Sequence, residues 1–203
     1  MSLWLEISFV IVSYLLGSIP FGYIFTKRAT GKNIRNHGSG NIGSTNVKRI
    51  AGKKVSIQTQ VFDILKGFLP VFTVLLLNYY KIYNFPEFMP YAVGIASIVG
   101  HDYSVFLKFN GGKGINTTIG ASVVFAPIQV FVGIMSYYLV KHISKYVSLG
   151  SLVLIVVITI LDAILNGFGM QFYYFVCCAI LIYIRHIENI KRLLSGSETK
   201  VIK

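Results

Sequence analysis

Two long uncharged runs constrain this chain more than anything else in it. Residues 115–140 and 163–184 contain 26 and 22 consecutive positions without Asp, Glu, Lys or Arg. About 20 such residues cross the hydrocarbon of a bilayer. Backbone polar groups at that depth must be satisfied within the protein, which leaves helices or a closed barrel. A barrel would show short alternating segments instead of continuous runs. Only 13% of the 203 residues are charged, against about 25% in soluble domains, and mean hydropathy is +0.67. The expected fold is all-α, a polytopic integral membrane helical bundle in one domain over residues 1–203.

Apolar segments run over residues 3–25, 61–77, 88–107, 115–140, 147–165 and 168–184. The N-terminus lacks a basic n-region and a small-residue cleavage site, so it reads as a first span and not a removed signal. Residues 26–60 carry Lys27, Arg28, Lys32, Arg35, Lys48, Arg49, Lys53 and Lys54 with no acid. Cations in short loops mark the cytoplasmic side, which puts the N-terminus outside. Six spans would export Lys141, Lys145 and the basic tail. The fourth segment is long for one span and contains Pro127, which breaks a helix by removing a donor and clashing with the preceding turn. Split there, it gives about seven transmembrane helices and a cytoplasmic C-terminus. Seventeen of the 19 Lys and Arg then lie inside, the tail's Lys203 among them. The net charge of +12 is mostly this asymmetry. Nucleic-acid binding would need a polar basic domain, and there is none.

Three polar clusters face the cytoplasm in this topology. The first is GSGNIGSTNVKR at 38–49. Gly38, Gly40 and Gly43 permit close backbone approach, Ser39, Asn41, Ser44, Thr45 and Asn46 add hydrogen-bonding groups, and Arg49 can grip phosphate in a bidentate way. A plain turn needs two or three such residues, not eight within nine positions. The second cluster is GHDYSVFLKFNGGKG at 100–114. Gly111, Gly112, Lys113 and Gly114 feed a helix N-terminus, an anion site in principle. Its spacing is not that of a nucleotide P-loop, and the magnesium-binding hydroxyl is missing. The third cluster is RHIENIKRLLSGSE at 185–198. A lipid-anchoring role explains Arg185, Lys191 and Arg192. It does not explain His186 and Asn189, which share a helix face. Glycine amides and placed cations suit phosphate oxygens. At a membrane surface they point to a phosphate-bearing, amphipathic substrate.

Several chemistries find no support. Cys177 and Cys178 are adjacent in an apolar run and read as packing residues. No metal-ligand spacing is present. His37, His101, His142 and His186 could each act as a base near neutral pH, but no His is followed by Asp five positions later, and no GxSxG occurs. Asp63 and Asp162 lie in apolar segments, where acids are costly. Asp63 is expected to pair with Lys66 or a first-loop cation, Asp162 to lie near the outer face, and both to be structural.

These motifs, with SIPFGYIF at 18–25 and YVSLGS at 146–151, closely resemble the bacterial acyl-phosphate:glycerol-3-phosphate acyltransferases, the PlsY family. The resemblance covers nearly the whole chain. One departure is Asn116, where the family pattern has alanine. The resemblance implies seven spans in the bacterial plasma membrane, a cytoplasm-facing site, and neither metal nor other cofactor. It implies transfer from acyl phosphate to sn-glycerol 3-phosphate, giving lysophosphatidic acid and phosphate, with the acceptor's own phosphate taking the proton. Ser39, Arg49, Lys113, His186 and Asn189 would contact glycerol phosphate, with Ser148 or Ser151 as a weaker candidate. Ser39, Arg49, Lys113 and Asn189 would carry the chemistry, and the glycines of the first motif would cradle the acyl phosphate. The chief rival is a membrane transporter of a small phosphate-bearing anion, which would tend to show paired halves. A CDP-alcohol phosphotransferase would need an Asp-rich metal helix, and the three Asp residues are far apart.

Overall fold

The computed structural model describes residues 2–200; Lys203, counted above among the tail cations, lies outside them. The described residues are helical, with turns between helices and no strand. They pack as two compact units that divide between Val124 and Phe125.

The first unit contains α1 (Ser2–Ser18), α2 (Phe21–Thr30), α3 (Ser44–Tyr79), α4 (Met89–Asp102) and α5 (Ile115–Ser122). The first apolar segment is interrupted where Pro20 restricts the residue before it, and the carbonyl of Ile19 accepts from the Phe21 N–H in a tight turn at 3.1 Å. The ammonium of Lys66, arriving from α3, donates to it at 3.0 Å. The helices meet through small residues, as membrane helices do. Gly17 lies against the backbone of Ser97, and Gly100 against the carbonyl of Tyr14. Likewise Gly67 backs onto Thr117 and Gly120 onto Ile64, so α3 and α5 touch backbone to backbone. A methyl group at any of these four positions would overlap main-chain atoms. Ser104 Oγ ties the far end of α4 to the carbonyl of Ser18 at 2.5 Å.

The second unit contains α6 (Pro127–Ser144), α7 (Val147–Asn166), α8 (Met170–Arg185) and α9 (Ile187–Leu194). Gly133 accepts Ile158 and Gly150 accepts Tyr137 where α6 meets α7. Asp162 is fully buried at the other end of α7. Its Oδ1 accepts from Gln129 at 2.9 Å, Asn166 at 2.7 Å and Gln171 at 2.5 Å. Gln129 and Gln171 lie in the first turns of α6 and α8, so one carboxylate joins the ends of three helices.

Three segments differ from the hydropathy reading. Helix α3 starts at Ser44, not at residue 61, and is kinked at Gly52; hydropathy reports depth in the bilayer, and this helix continues as a polar stretch beyond the apolar layer. Helix α4 ends at Asp102, short of residue 107. The long fourth segment divides as expected, yet Pro127 opens α6 instead of kinking the middle of the run, because a first-turn position needs no N–H donor. By length and hydropathy alone, Leu3–Thr30, Ser44–Tyr79 and Val147–Asn166 suffice to cross a bilayer; the pair formed by α8 and α9, bent by 63°, is a fourth candidate.

Candidate active site

The first motif folds around Asn46, whose side chain is buried. Its Oδ1 accepts from the Ser39 N–H at 3.0 Å, and its Nδ2 donates to the carbonyls of His37 and Asn41 at 3.0 and 2.9 Å. Gly38 has φ +60, and a Cβ there would strike Asn46 Oδ1. The Asn41 side chain accepts from Gly43 N–H at 2.7 Å. Both asparagines therefore hold the loop's own shape. Ser39, Thr45 and Arg49 stand exposed on its surface, beside the half-exposed Gly40 and Gly43. Helix α3 begins at Ser44 with no side-chain cap.

The second motif returns to the helix it left. Gly112 N–H donates to the His101 carbonyl at 2.8 Å and Gly111 N–H to the Asp102 carbonyl at 3.1 Å. Upstream, Lys108 and Phe109 both adopt left-handed backbone, φ 53 and 63. Such non-glycine residues cost on the order of 1–3 kcal/mol each and cluster where the surrounding structure demands them. The Phe109 N–H bond to Ser104, 2.8 Å, holds the turn. The loop then enters α5 through Gly114, again with no side-chain cap. Lys113 is half-buried between glycines that are themselves buried.

Two uncapped helix N-termini thus belong to one unit, and they meet. Asn116 Nδ2, in the first turn of α5, lies 3.4 Å from Oγ of Ser44, the first residue of α3. Each N-terminus carries the positive end of a helix dipole. Two positive ends so close, with Arg49 on one helix and Lys113 leading into the other, favour anions, and phosphate above all. In the same unit an apolar groove of about 380 Å³ is lined by Ile19, Pro20, Tyr23, Ile24, Phe106 and Leu107.

The third motif and Ser148 form a cluster inside the second unit. After α9 the chain reverses through Gly196, φ +70, and Glu198 folds back. Glu198 accepts from Ser148 Oγ, Asn189 Nδ2 and Arg192 Nε, each at 2.7 Å. Burial alone would raise its carboxyl, but these three hydrogen bonds hold it below the ordinary glutamate value of 4.5. His186 Nδ1 bonds the Ile182 carbonyl at 2.8 Å, which places the proton on Nδ1. Ser151 turns its hydroxyl to the Val147 carbonyl of its own helix, at 3.0 Å. Of the two serines, Ser148 joins the polar cluster.

The model for glycerol-3-phosphate acyltransferase matches residues 7–196. The chain belongs to the glycerol-3-phosphate acyltransferase family. Its relatives in Clostridium acetobutylicum and Geotalea daltonii are named glycerol-3-phosphate acyltransferase. They are 43% and 40% identical to it, over 93% and 95% of this chain and 96% of each relative. Crystal structures of PlsY (YgiH), an integral membrane glycerol 3-phosphate acyltransferase, share the fold. The glycerol 3-phosphate form gives TM-score 0.88 at 34% identity, covering 97% of this chain and 96% of that one. The lysophosphatidic acid form gives 0.84 at 32% identity, covering 97% and 95%. The family is that named by the sequence motifs, and the protein is an acyltransferase.

Sequence reasoning ends the third cluster on Glu198 without giving it a role and treats Arg192 as a lipid anchor. The available signal was an acid after the glycine turn SGSE in an otherwise basic tail. It also set Asp63 aside as structural. Asp63 does pair with Lys66, at 3.0 Å, but deep in the helix packing and in company with His101 at 3.6 Å.

Proposed function

We propose that this acyltransferase moves an acyl group from acyl phosphate to a hydroxyl of sn-glycerol 3-phosphate. The products are lysophosphatidic acid and inorganic phosphate. The observation that carries this reading is the contact between the N-termini of α3 and α5 at Ser44 and Asn116. Two adjacent anion sites suit a reaction whose two substrates each bring a phosphate. The glycerol 3-phosphate and lysophosphatidic acid forms of PlsY support the same acceptor and product here.

The donor is a mixed anhydride and already activated, so the chain needs no nucleophile of its own. The acceptor hydroxyl attacks the acyl carbonyl; a C–O ester bond forms, the C–O bond to phosphate breaks, and phosphate leaves with the electron pair. The acceptor's phosphate takes the hydroxyl proton. Holding both substrates in line supplies most of the rate. Gly38, Gly40 and Gly43 cradle the donor phosphate, and Gly111, Gly112 and Gly114 let the Lys113 loop pack onto His101 and Asp102. Arg49 and Lys113 neutralise charge growing on the carbonyl oxygen and the leaving phosphate. In the first unit Ser39 binds glycerol phosphate and the apolar groove takes the acyl chain; for Ser148, His186 and Asn189 of the second unit the family resemblance names the same substrate. His101 is buried beneath Gly112 and touches neither substrate.

The charge asymmetry supports seven spans across the bacterial plasma membrane, with the N-terminus outside, the C-terminus inside and the motifs facing the cytoplasm. Helices α4 and α5 are short for spans, which is tolerated where protein covers their ends. We assign no metal to the reaction. The test is turnover of purified protein in chelator, with acyl phosphate compared with acyl-CoA and acyl carrier protein. Acyl phosphate alone should give lysophosphatidic acid and one equivalent of phosphate. Activity with acyl-CoA only, or a need for divalent metal, would refute the proposal.

A further inference from the structure

Asp63 and Lys66 are 2% and 4% exposed in the middle of helix packing. A charge in an apolar segment is costly to insert. Replacing a buried ion pair with apolar residues is often neutral or stabilising, so fold stability alone is a poor reason to keep one. What this pair does differently is reach in two directions. Lys66 holds the Ile19 carbonyl at the α1–α2 break, 3.0 Å away. Asp63 Oδ1 lies 3.0 Å from Lys66 Nζ and 3.6 Å from His101 Nδ1.

His101 and the next residue, Asp102, are the floor of the 111–114 loop. Their carbonyls take the Gly112 and Gly111 amides. The His101 ring fills the space where a Gly112 side chain would stand, and the Asp102 carboxylate oxygens lie 3.2 and 3.3 Å from the Cβ position of Gly114. Lys113 is fixed between these two supports. The chain of contacts therefore runs from the helix break at Ile19, through Lys66, Asp63 and His101, to the backbone that aims Lys113.

We propose that Asp63, Lys66 and His101 form a buried positioning device that holds the 111–114 loop in register and so sets where the Lys113 ammonium sits. None of the three touches substrate. Their effect passes through the loop backbone, and the proposal rests on the reading that Lys113 acts in the reaction. Misplacing a reactive group by about 1 Å costs about 100-fold, and residues that orient functional groups from behind are worth about 10–100-fold.

The test is a pair of double-mutant cycles. Asp63→Asn/Lys66→Met removes both charges of the pair together. It is made in the native sequence and in Lys113→Ala, with labelled product followed at high enzyme concentration. In the native sequence kcat should fall about 10–100-fold, with the apparent KM for acyl phosphate moving by less than about threefold. In Lys113→Ala the same change should cost less than about twofold, because what it positions is already gone. His101→Gln, a milder change on the same path, should show the same pattern and decides the matter if the double variant does not fold. Native kcat in these variants, or equal losses in both backgrounds, would overturn the proposal and leave the trio as fold support. A fully active Lys113→Ala would instead refute the reading of the site beneath it.

Discussion

Lys113 sits between glycines that have no room for a side chain, and its ammonium is the cation that leads into α5. Lys113→Ala should lower kcat/KM by about 10²–10³-fold, the usual loss when one placed group stabilising a developing charge is removed. Lys113→Arg should recover little, because a planar guanidinium has a different reach. Lys54 is exposed beyond the Gly52 kink, and Lys54→Ala should be nearly silent. Equal losses from the two alanine variants would mean that bulk charge matters and placement does not. Asn116, the departure from the family pattern, touches Ser44 at only 3.4 Å. That is long for a hydrogen bond, so the contact marks where two helices meet and adds little strength of its own. At this scale the glycine motifs were legible because glycine in numbers, beside hydroxyls and cations, already describes backbone offered to an anion. The inward role of Asn46 and Asn41 was not, since a side chain that binds a ligand and one that braces a loop share a composition. Glu198 was left without a role for a related reason. Its meaning comes from Ser148, fifty positions away, and nothing local announces that meeting.

Among the elements, the helix ends carry the most information. Helices α3 and α5 meet at their N-termini, and the ends of α6, α7 and α8 are joined by Asp162. Asp162→Ala would leave three amide donors without their acceptor. At about 1 kcal/mol for each lost bond, the cost is about 3 kcal/mol, or about 6–12 °C in Tm for a chain of this size. Asp162→Asn keeps an acceptor and should cost less than half as much. Thermal unfolding in detergent measures both, and unchanged Tm values would show that the clamp bears no weight. Sequence placed the break at Pro127, since proline acts locally, and the structure sets it just before that residue. Sequence could not place the start of α3, because the polar turns from Ser44 onward are held as helix by packing, including the Ser56 hydroxyl on the Ser44 carbonyl at 2.8 Å. Hydropathy has no view of such contacts.

For the molecule as a whole, membrane residence and helical class follow from two uncharged runs, and family from five ordered motifs. The proposed topology rests on where the cations lie. Cysteine labelling in intact cells, with Cys177 and Cys178 replaced, checks it at positions 36 and 143, both exposed in their units. Labels from outside should reach neither, and external labelling at either site would contradict seven spans with the N-terminus outside. The central claim is that two phosphates are held at once and the acyl group passes directly between them. Initial velocities measured while acyl phosphate and glycerol 3-phosphate are varied together test it most directly. The account predicts double-reciprocal lines that intersect, as for a ternary complex, and no acyl-enzyme trapped from acyl phosphate alone. Parallel lines with a covalent acyl-enzyme, the signature of a ping-pong nucleophile, would contradict it.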